Sequence, residues 1–221
     1  MEVLKVVNLQ KYYGVRNNLT KVLSGVNFSI ERGEFVGIMG ASGSGKTTLL
    51  NCISTIDFPT AGSVFINEKD ITQMDQEELS KFRREELGFV FQDFNLLDTL
   101  TIYENIALSL ALLKEKIDVI DEKVKDIATI LGIDDILDKY PIQISGGQKQ
   151  RVTCARAIVN DPSIIMADEP TGALDSKSAI NLLRSFEYLV EKRKSTIFMV
   201  THDAFAASFC QKIFFLRDGK I

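Results

Sequence analysis

The chain is 221 residues long, with 45% hydrophobic and 25% charged side chains, the size and balance of one α/β domain or of a domain carrying a subdomain. Lys plus Arg number 26 against 30 Asp plus Glu, a net charge of −4, so the basic excess of a nucleic-acid binder is missing and no nucleic-acid partner is expected. No apolar run approaches the ~18–20 residues that span a bilayer, and the first five residues lack the basic-then-apolar layout of a signal peptide.

Three cysteines (Cys52, Cys154, Cys210) without metal-ligand spacing read as ordinary cytosolic thiols. The expectation is a soluble, cytoplasmic protein that can still dock on a membrane partner.

Residues 3–9 and 22–30 alternate apolar and polar positions and predict two strands joined by a polar loop. The apolar run 35–39, with glycines close by, suits a buried parallel strand, followed by a helix over 46–54 and a strand over 63–66. Asp75 with Glu78 three residues on is a capping-box pattern opening a charged, solvated helix over 76–86. A strand over 88–91 comes next. Thr101-x-x-Glu104 opens another capped helix to about 113, residues 118–131 and 134–137 are helical, and Pro141 stops that region.

Residues 146–159 predict a helix and 164–167 a buried strand. In the long helix over 176–191, the stripe Ile180, Leu183, Phe186 and Val190 is core packing. Strands over 196–200 and 213–216 complete the pattern. Asp218-Gly219 is a tight-turn signal whose partner strand would begin at Lys220-Ile221, where the sequence stops, so a chain cut or naturally short at this point is expected. Alternating strands and helices imply a mostly parallel sheet, and the all-helical stretch from about 101 to 140 predicts an inserted subdomain.

Gly40-Ala41-Ser42-Gly43-Ser44-Gly45-Lys46-Thr47 matches G-x-x-x-x-G-K-[ST] between a predicted strand and a predicted helix. Glycines let successive backbone N–H groups turn inward on phosphates, and the helix start adds its positive dipole end. Lys46 supplies a point charge for the β- and γ-phosphates, and the Thr47 hydroxyl is placed to ligate Mg²⁺. Asp168-Glu169 ends the apolar strand over 164–167. Two carboxylates there are costly unless a cation or a reaction uses them, so Asp168 is the second metal anchor and Glu169 a candidate general base. His202, the one histidine, also comes directly after an apolar strand, at the edge where α/β sheets bind ligands, and could orient Glu169 and hydrogen-bond the γ-phosphate. Gln92 ends its strand in the same way, and its amide could reach Mg²⁺ or the attacking water.

Ser145-Gly146-Gly147-Gln148 reads first as a capping box. Two glycines in a helical first turn cost about 1 kcal/mol each, so a phosphate pressed on bare N–H groups is the expected reason for them.

These motifs, with Ala173-Leu174-Asp175, occur in the order of the ATP-binding cassette ATPases, which the chain resembles over essentially its whole length. The resemblance implies a single P-loop domain over 1–221 with a mostly parallel core sheet, an N-terminal antiparallel β-subdomain (about 1–35 and 55–75) and an inserted α-helical subdomain (about 93–145). It implies ATP and Mg²⁺, bound by residues 40–47 with Thr48. It also implies a head-to-tail homodimer in which each ATP lies between Lys46 of one copy and Ser145, Gly146, Gly147 and Gln148 of the other. Tyr13 matches the adenine-stacking aromatic, with Tyr12 a rival, and Asp175 lies in the loop that touches the partner. Ile144 and Gly172 depart mildly from the usual Leu and Ser, and neither removes a catalytic group.

Residues 91–97 and 101–105 resemble the group of macrolide and lipoprotein exporters and the cell-division cassette. Within it, residues 162–165, 168–177 and 195–208 look most like the bacitracin-resistance type. That likeness implies an ATPase peripheral on the inner face of a bacterial cell membrane, driving a separate permease in antimicrobial-peptide resistance or sensing. The alternative is a lipoprotein- or macrolide-export or cell-division complex. A chromosome-organising cassette would carry a long coiled coil between Lys46 and Ser145, and a translation-factor cassette would carry two such domains.

Overall fold

The computed structural model describes residues 1–15 and 18–221. The chain runs β1 (Glu2–Tyr13), β2 (Thr20–Glu31), β3 (Phe35–Met39), α1 (Lys46–Ile53), β4 (Ala61–Ile66), β5 (Lys69–Asp70), α2 (Gln76–Glu86), β6 (Leu87–Val90), α3 (Ile102–Leu112), α4 (Ile117–Leu131), α5 (Gly146–Ile158), β7 (Ile164–Asp168), α6 (Ser176–Arg193), β8 (Ile197–Thr201), α7 (Ala204–Ala207) and β9 (Lys212–Phe215). Short 3₁₀ turns lie at Ile71–Gln73, Asp134–Ile136 and Pro141–Gln143.

Two sheets form. β2-β1-β4-β5 is antiparallel, and β6-β7-β8-β3-β9 is parallel throughout. The parallel strands carry apolar residues on both faces, as a sheet covered on both sides requires. Ile165, Ala167, Ile197 and Met199 face the core shared with α3, α4, α5 and α6. Ile164, Met166, Phe198, Val200, Val36 and Ile38 face the second core, which the antiparallel sheet and α1 close. Period-2 alternation along each strand thus glues one sheet to two layers.

The helix starts obey their sequence signals. Asp75, Thr101 and Ser145 each form a complete capping box with Glu78, Glu104 and Gln148. Three details differ from expectation. Pro141 does not end a helical region but occupies the first position of a 3₁₀ turn, where its missing N–H leaves no bond unmade. On α6 the buried stripe is Ala179, Leu182, Leu183, Phe186, Leu189 and Val190, so Ile180 sits at its margin. β1 extends to Tyr13, well past residue 9, because irregular pairing with β2 beyond Val6, with Asn8 at φ 47°, re-aims the strand and lets it continue. Asp218 and Gly219, with φ of 49° and 73°, turn the chain so that Arg217 bridges antiparallel to Lys220.

Candidate nucleotide site

The parallel register sets the site. Met39 is level with Thr201, and Asp168 is level with Val200, so β3, β8 and β7 end together at one edge. The segments leaving these strands therefore meet: the loop 40–45 after β3, Glu169 after β7, and His202 after β8. They line one 760 Å³ cavity together with Lys46, Thr47 and Thr48. A crevice outside the carboxyl ends of parallel strands is where such folds bind ligands.

The loop over 40–45 closes onto α1 through Gly45, whose φ of 102° no side-chain-bearing residue adopts readily. Gly45 also caps α1 without any side-chain bond, leaving the N–H groups of the first turn open to an anion. Lys46 is 9% exposed, and its Nζ donates to the carbonyls of Gly40 (2.9 Å) and Ala41 (3.0 Å). Both bonds are to groups of the loop itself, so the ammonium can exchange them for phosphate oxygens without leaving the cradle.

Across the cavity, Glu169 has φ 45°, a left-handed conformation that costs a non-glycine residue of order 1–3 kcal/mol. Its N–H donates to Val200 O (2.9 Å), which holds the residue at the sheet edge. Its carboxylate is gripped from β8: His202 Nδ1 lies 2.7 Å from Oε1, and Thr201 Oγ1 donates to Oε2 at 3.2 Å. Thr201 is a residue that sequence reasoning passed over; its place immediately before His202 at a strand end was the available signal.

Asp168 stands differently. Its Oδ1 is buried and has no partner among the described residues. Burial first, and then the Glu169 charge, hold its carboxyl above the ordinary carboxylate range, while Lys46 opposes the shift. Asp168 does not itself line the cavity, but a desolvated, unpartnered carboxylate oxygen next to Glu169, which does, fits a divalent cation, and the Thr47 hydroxyl on the cavity wall is a second candidate oxygen.

Other candidate residues stand apart from this cavity. Gln92 does not line it, and its side chain lies over Gly172. The segment on both sides of it is held by α5: Gln150 Nε2 donates to Phe91 O, Thr153 Oγ1 to Phe94 O, and Arg156 to the carbonyls of Phe94 and Asn95. Ser145, Gly146, Gly147 and Gln148 also lie outside the cavity, at the start of α5.

Gly147 has a structural reason that the sequence did not disclose. A Cβ there would stand 2.5 Å from Ser178 Oγ, so the glycine lets α5 and α6 approach. Asp175 caps α6, accepting from Ser178 N–H (3.0 Å) and Ser178 Oγ (2.6 Å), and these bonds pull its carboxyl below the usual range. Tyr13 is 43% exposed, and its hydroxyl donates to Asp57 in the loop after α1. Tyr12 instead bonds Gln10 on its own strand.

A strand, a Gly-rich loop with a buried lysine, a helix and two consecutive carboxylates at the end of a parallel strand define a P-loop nucleotide-binding domain. The family model described as ABC transporter matches residues 23–172, more than half of the chain. The bacitracin export ATP-binding protein BceA of Halalkalibacterium halodurans is 54% identical over 221 residues, covering all of this chain and 87% of that one. A dimeric structure of the cassette MJ0796, a protein of Methanocaldococcus jannaschii, superposes with TM-score 0.89 at 40% identity, over 99% of this chain and 96% of that one. A dimeric post-hydrolysis state of the same cassette, bound to ADP and Pi, superposes with TM-score 0.88 at the same identity and coverage. The chain belongs to the ABC transporter family, as one of its ATP-binding, ATP-hydrolysing subunits.

Proposed function

We propose that this chain hydrolyses Mg-ATP as one of a head-to-tail pair and so drives a separate permease that exports or senses antimicrobial peptides. The observation that carries the reading is the 2.7 Å contact of His202 with Glu169 across the cavity from the Lys46 cradle. The loop N–H groups and Lys46 bind the β- and γ-phosphates. Glu169 takes the proton of an attacking water as its oxygen bonds to the γ-phosphorus. The bond to the β–γ bridging oxygen breaks, and ADP departs with that electron pair. His202 and Thr201 orient the Glu169 carboxylate, and with Nδ1 engaged, Nε2 is the ring nitrogen left for a phosphate oxygen. Thr47 and Asp168 would hold Mg²⁺, with Gln92 joining from the segment after β6. The metal supplies charge neutralisation at the β- and γ-oxygens.

Pairing is supported by the position of the second motif. Ser145 to Gln148 open a helix outside the chain's own phosphate cavity, so the γ-phosphate they receive belongs to another copy, and Asp175 lies at that contact. The likeness to a bacitracin export protein supports antimicrobial peptides as the permease's cargo or signal. No helix among the described residues is long and apolar enough to cross a membrane, and we place the subunit peripherally on the inner face of a bacterial cell membrane, held there by its permease. A 280 Å³ groove between α2, β6, α3 and α5, lined in part by Arg83, Arg84, Phe89, Phe91 and Arg156, offers that permease a face continuous with the Gln92 segment.

Sedimentation of Glu169→Gln with and without Mg-ATP tests the reading. The variant sediments as a dimer with Mg-ATP only and turns over at least ~10²-fold more slowly than wild type. A monomer at high concentration, or wild-type turnover, overturns it.

A further inference from the structure

The base-binding end of the site carries a device that none of the motifs explains. Asp57, in the loop after α1, gathers three donors. Its Oδ1 accepts from Lys11 Nζ (2.6 Å) and from Phe58 N–H (2.7 Å), and its Oδ2 accepts the Tyr13 hydroxyl (2.6 Å). Lys11 is 9% exposed, and its Nζ also donates to Phe58 O at 2.6 Å. The same ammonium lies 4.8 Å from the Tyr13 ring centroid. The loop is itself fastened to α1, because the N–H groups of Ile56 and Asp57 both donate to Asn51 O. An exposed tyrosine near the end of a strand would ordinarily sample several rotamers. Here its backbone is fixed by β1, its hydroxyl by Asp57, and its ring sits beside Lys11.

We propose that Asp57 is a positioning residue for base recognition: with Lys11 it presents the Tyr13 ring, already immobilised, to a purine on the open side of the ring. This rests on the reading that Tyr13 stacks on adenine. A preorganised aromatic loses no side-chain freedom when its ligand arrives, and that freedom is one of the ordinary penalties of binding. The same carboxylate ties the ring to the loop that ends α1, the helix that starts at Lys46. Base and phosphate contacts are therefore held in one rigid frame. Burial pushes the Asp57 carboxyl up, but the bonds from Lys11, Tyr13 and Phe58 outweigh it and leave it ionised below the usual range.

The test is titration of the full chain with ATP and, separately, with inorganic tripolyphosphate, which has phosphates and no base. Tyr13→Phe removes the hydroxyl, keeps a stacking ring and leaves the Lys11–Asp57 pair intact. We expect it to weaken ATP about 3–10-fold while tripolyphosphate binds as before. Removing the pair as Lys11→Met with Asp57→Ala, so that neither charge is stranded, should weaken ATP by a similar factor, and adding Tyr13→Phe should weaken it no further. Unchanged ATP affinity in Tyr13→Phe, an equal loss for tripolyphosphate, or additive losses in the triple variant each overturn the proposal. Tyr13→Ala separates the two levels. If it weakens ATP while Tyr13→Phe does not, only the role of Asp57 falls; if Tyr13→Ala also binds ATP normally, base stacking falls with it.

Discussion

Gly147 at the start of α5 lies against Ser178 in the first turn of α6 so closely that a methyl group has no room: its carbon would stand 2.5 Å from Ser178 Oγ and 2.9 Å from Ser178 Cβ. Gly147→Ala must therefore push two helix starts apart, and overpacking of this kind costs about 1–3 kcal/mol. Ser178→Gly introduced into the same chain removes both clashing atoms and should restore part of that loss, a coupling that thermal denaturation of the two single variants and the double variant measures.

Gly146, one residue earlier, gives the opposite outcome. A Cβ there meets only Phe94 Cζ at 3.8 Å, an ordinary contact. Gly146→Ala should leave the Tm at or slightly above that of wild type, since alanine is the better helix former by about 1 kcal/mol. The same methyl covers the open helix start, so Mg-ATP should no longer assemble the pair on a size-exclusion column. A variant that folds and still pairs would place the phosphate contact elsewhere.

Asp168 carries a pH prediction. Its folded-state carboxyl titrates above the ordinary carboxylate value, so the folded state binds the proton more tightly than the unfolded chain. Stability therefore falls as pH rises from the ordinary carboxylate value through the raised one, and the full penalty is present above the raised value. Asp168→Asn should remove it and raise the Tm of the nucleotide-free protein, at about 2–4 °C per kcal/mol regained. The same variant should lose the further stabilisation that Mg²⁺ with ATP gives wild type. Scanning calorimetry of both proteins from acid to neutral pH checks the sign, with the Asn variant gaining on wild type as pH rises.

His202→Ala removes the 2.7 Å partner of Glu169 but leaves the Thr201 bond. We expect kcat to fall by about 10²-fold or more, with nucleotide affinity changed far less, because the cradle around Lys46 is untouched. Steady-state turnover beside equilibrium nucleotide binding distinguishes this from a general loss of structure.

Arg156 donates to the carbonyls of Phe94 and Asn95, and burial lowers its pKa. Arg156→Ala leaves the Phe94 carbonyl with the Thr153 bond alone, takes the side-chain donor from the Asn95 carbonyl, and should loosen the segment after Gln92. Hydrogen exchange over 91–97 should quicken while the amides of β3 keep their protection.

The strands and helix starts were legible because each is written locally: Asp75 with Glu78, Thr101 with Glu104, and the apolar run of β3 need nothing distant. The three strand-end groups were legible for the same reason, since each comes directly after its own apolar strand and the parallel register then does the rest. The features that could not be read depend on contacts across the fold. The packing reason for Gly147 could not be read because Ser178, 31 positions later, is invisible from its neighbourhood. That the Tyr13 hydroxyl reaches Asp57 while the Tyr12 hydroxyl stays on its own strand depends on a residue 44 positions past Tyr13. The irregular pairing past Val6 that lengthens β1 leaves no mark in the alternation itself.

Ser145 opens α5 on the surface, outside the cavity that its own Lys46 lines. Its consequence is kinetic. Under the proposed pairing, turnover by chains dilute enough to be mostly unpaired is second order in protein, so dilution lowers activity per unit volume as the square of the dilution and activity per chain in direct proportion to it. A permease that holds two copies side by side replaces that encounter with an effective concentration on the order of millimolar, making the step first order. Detachment from the membrane would then silence the enzyme by dilution alone, with no inhibitor and no change in either half of the site.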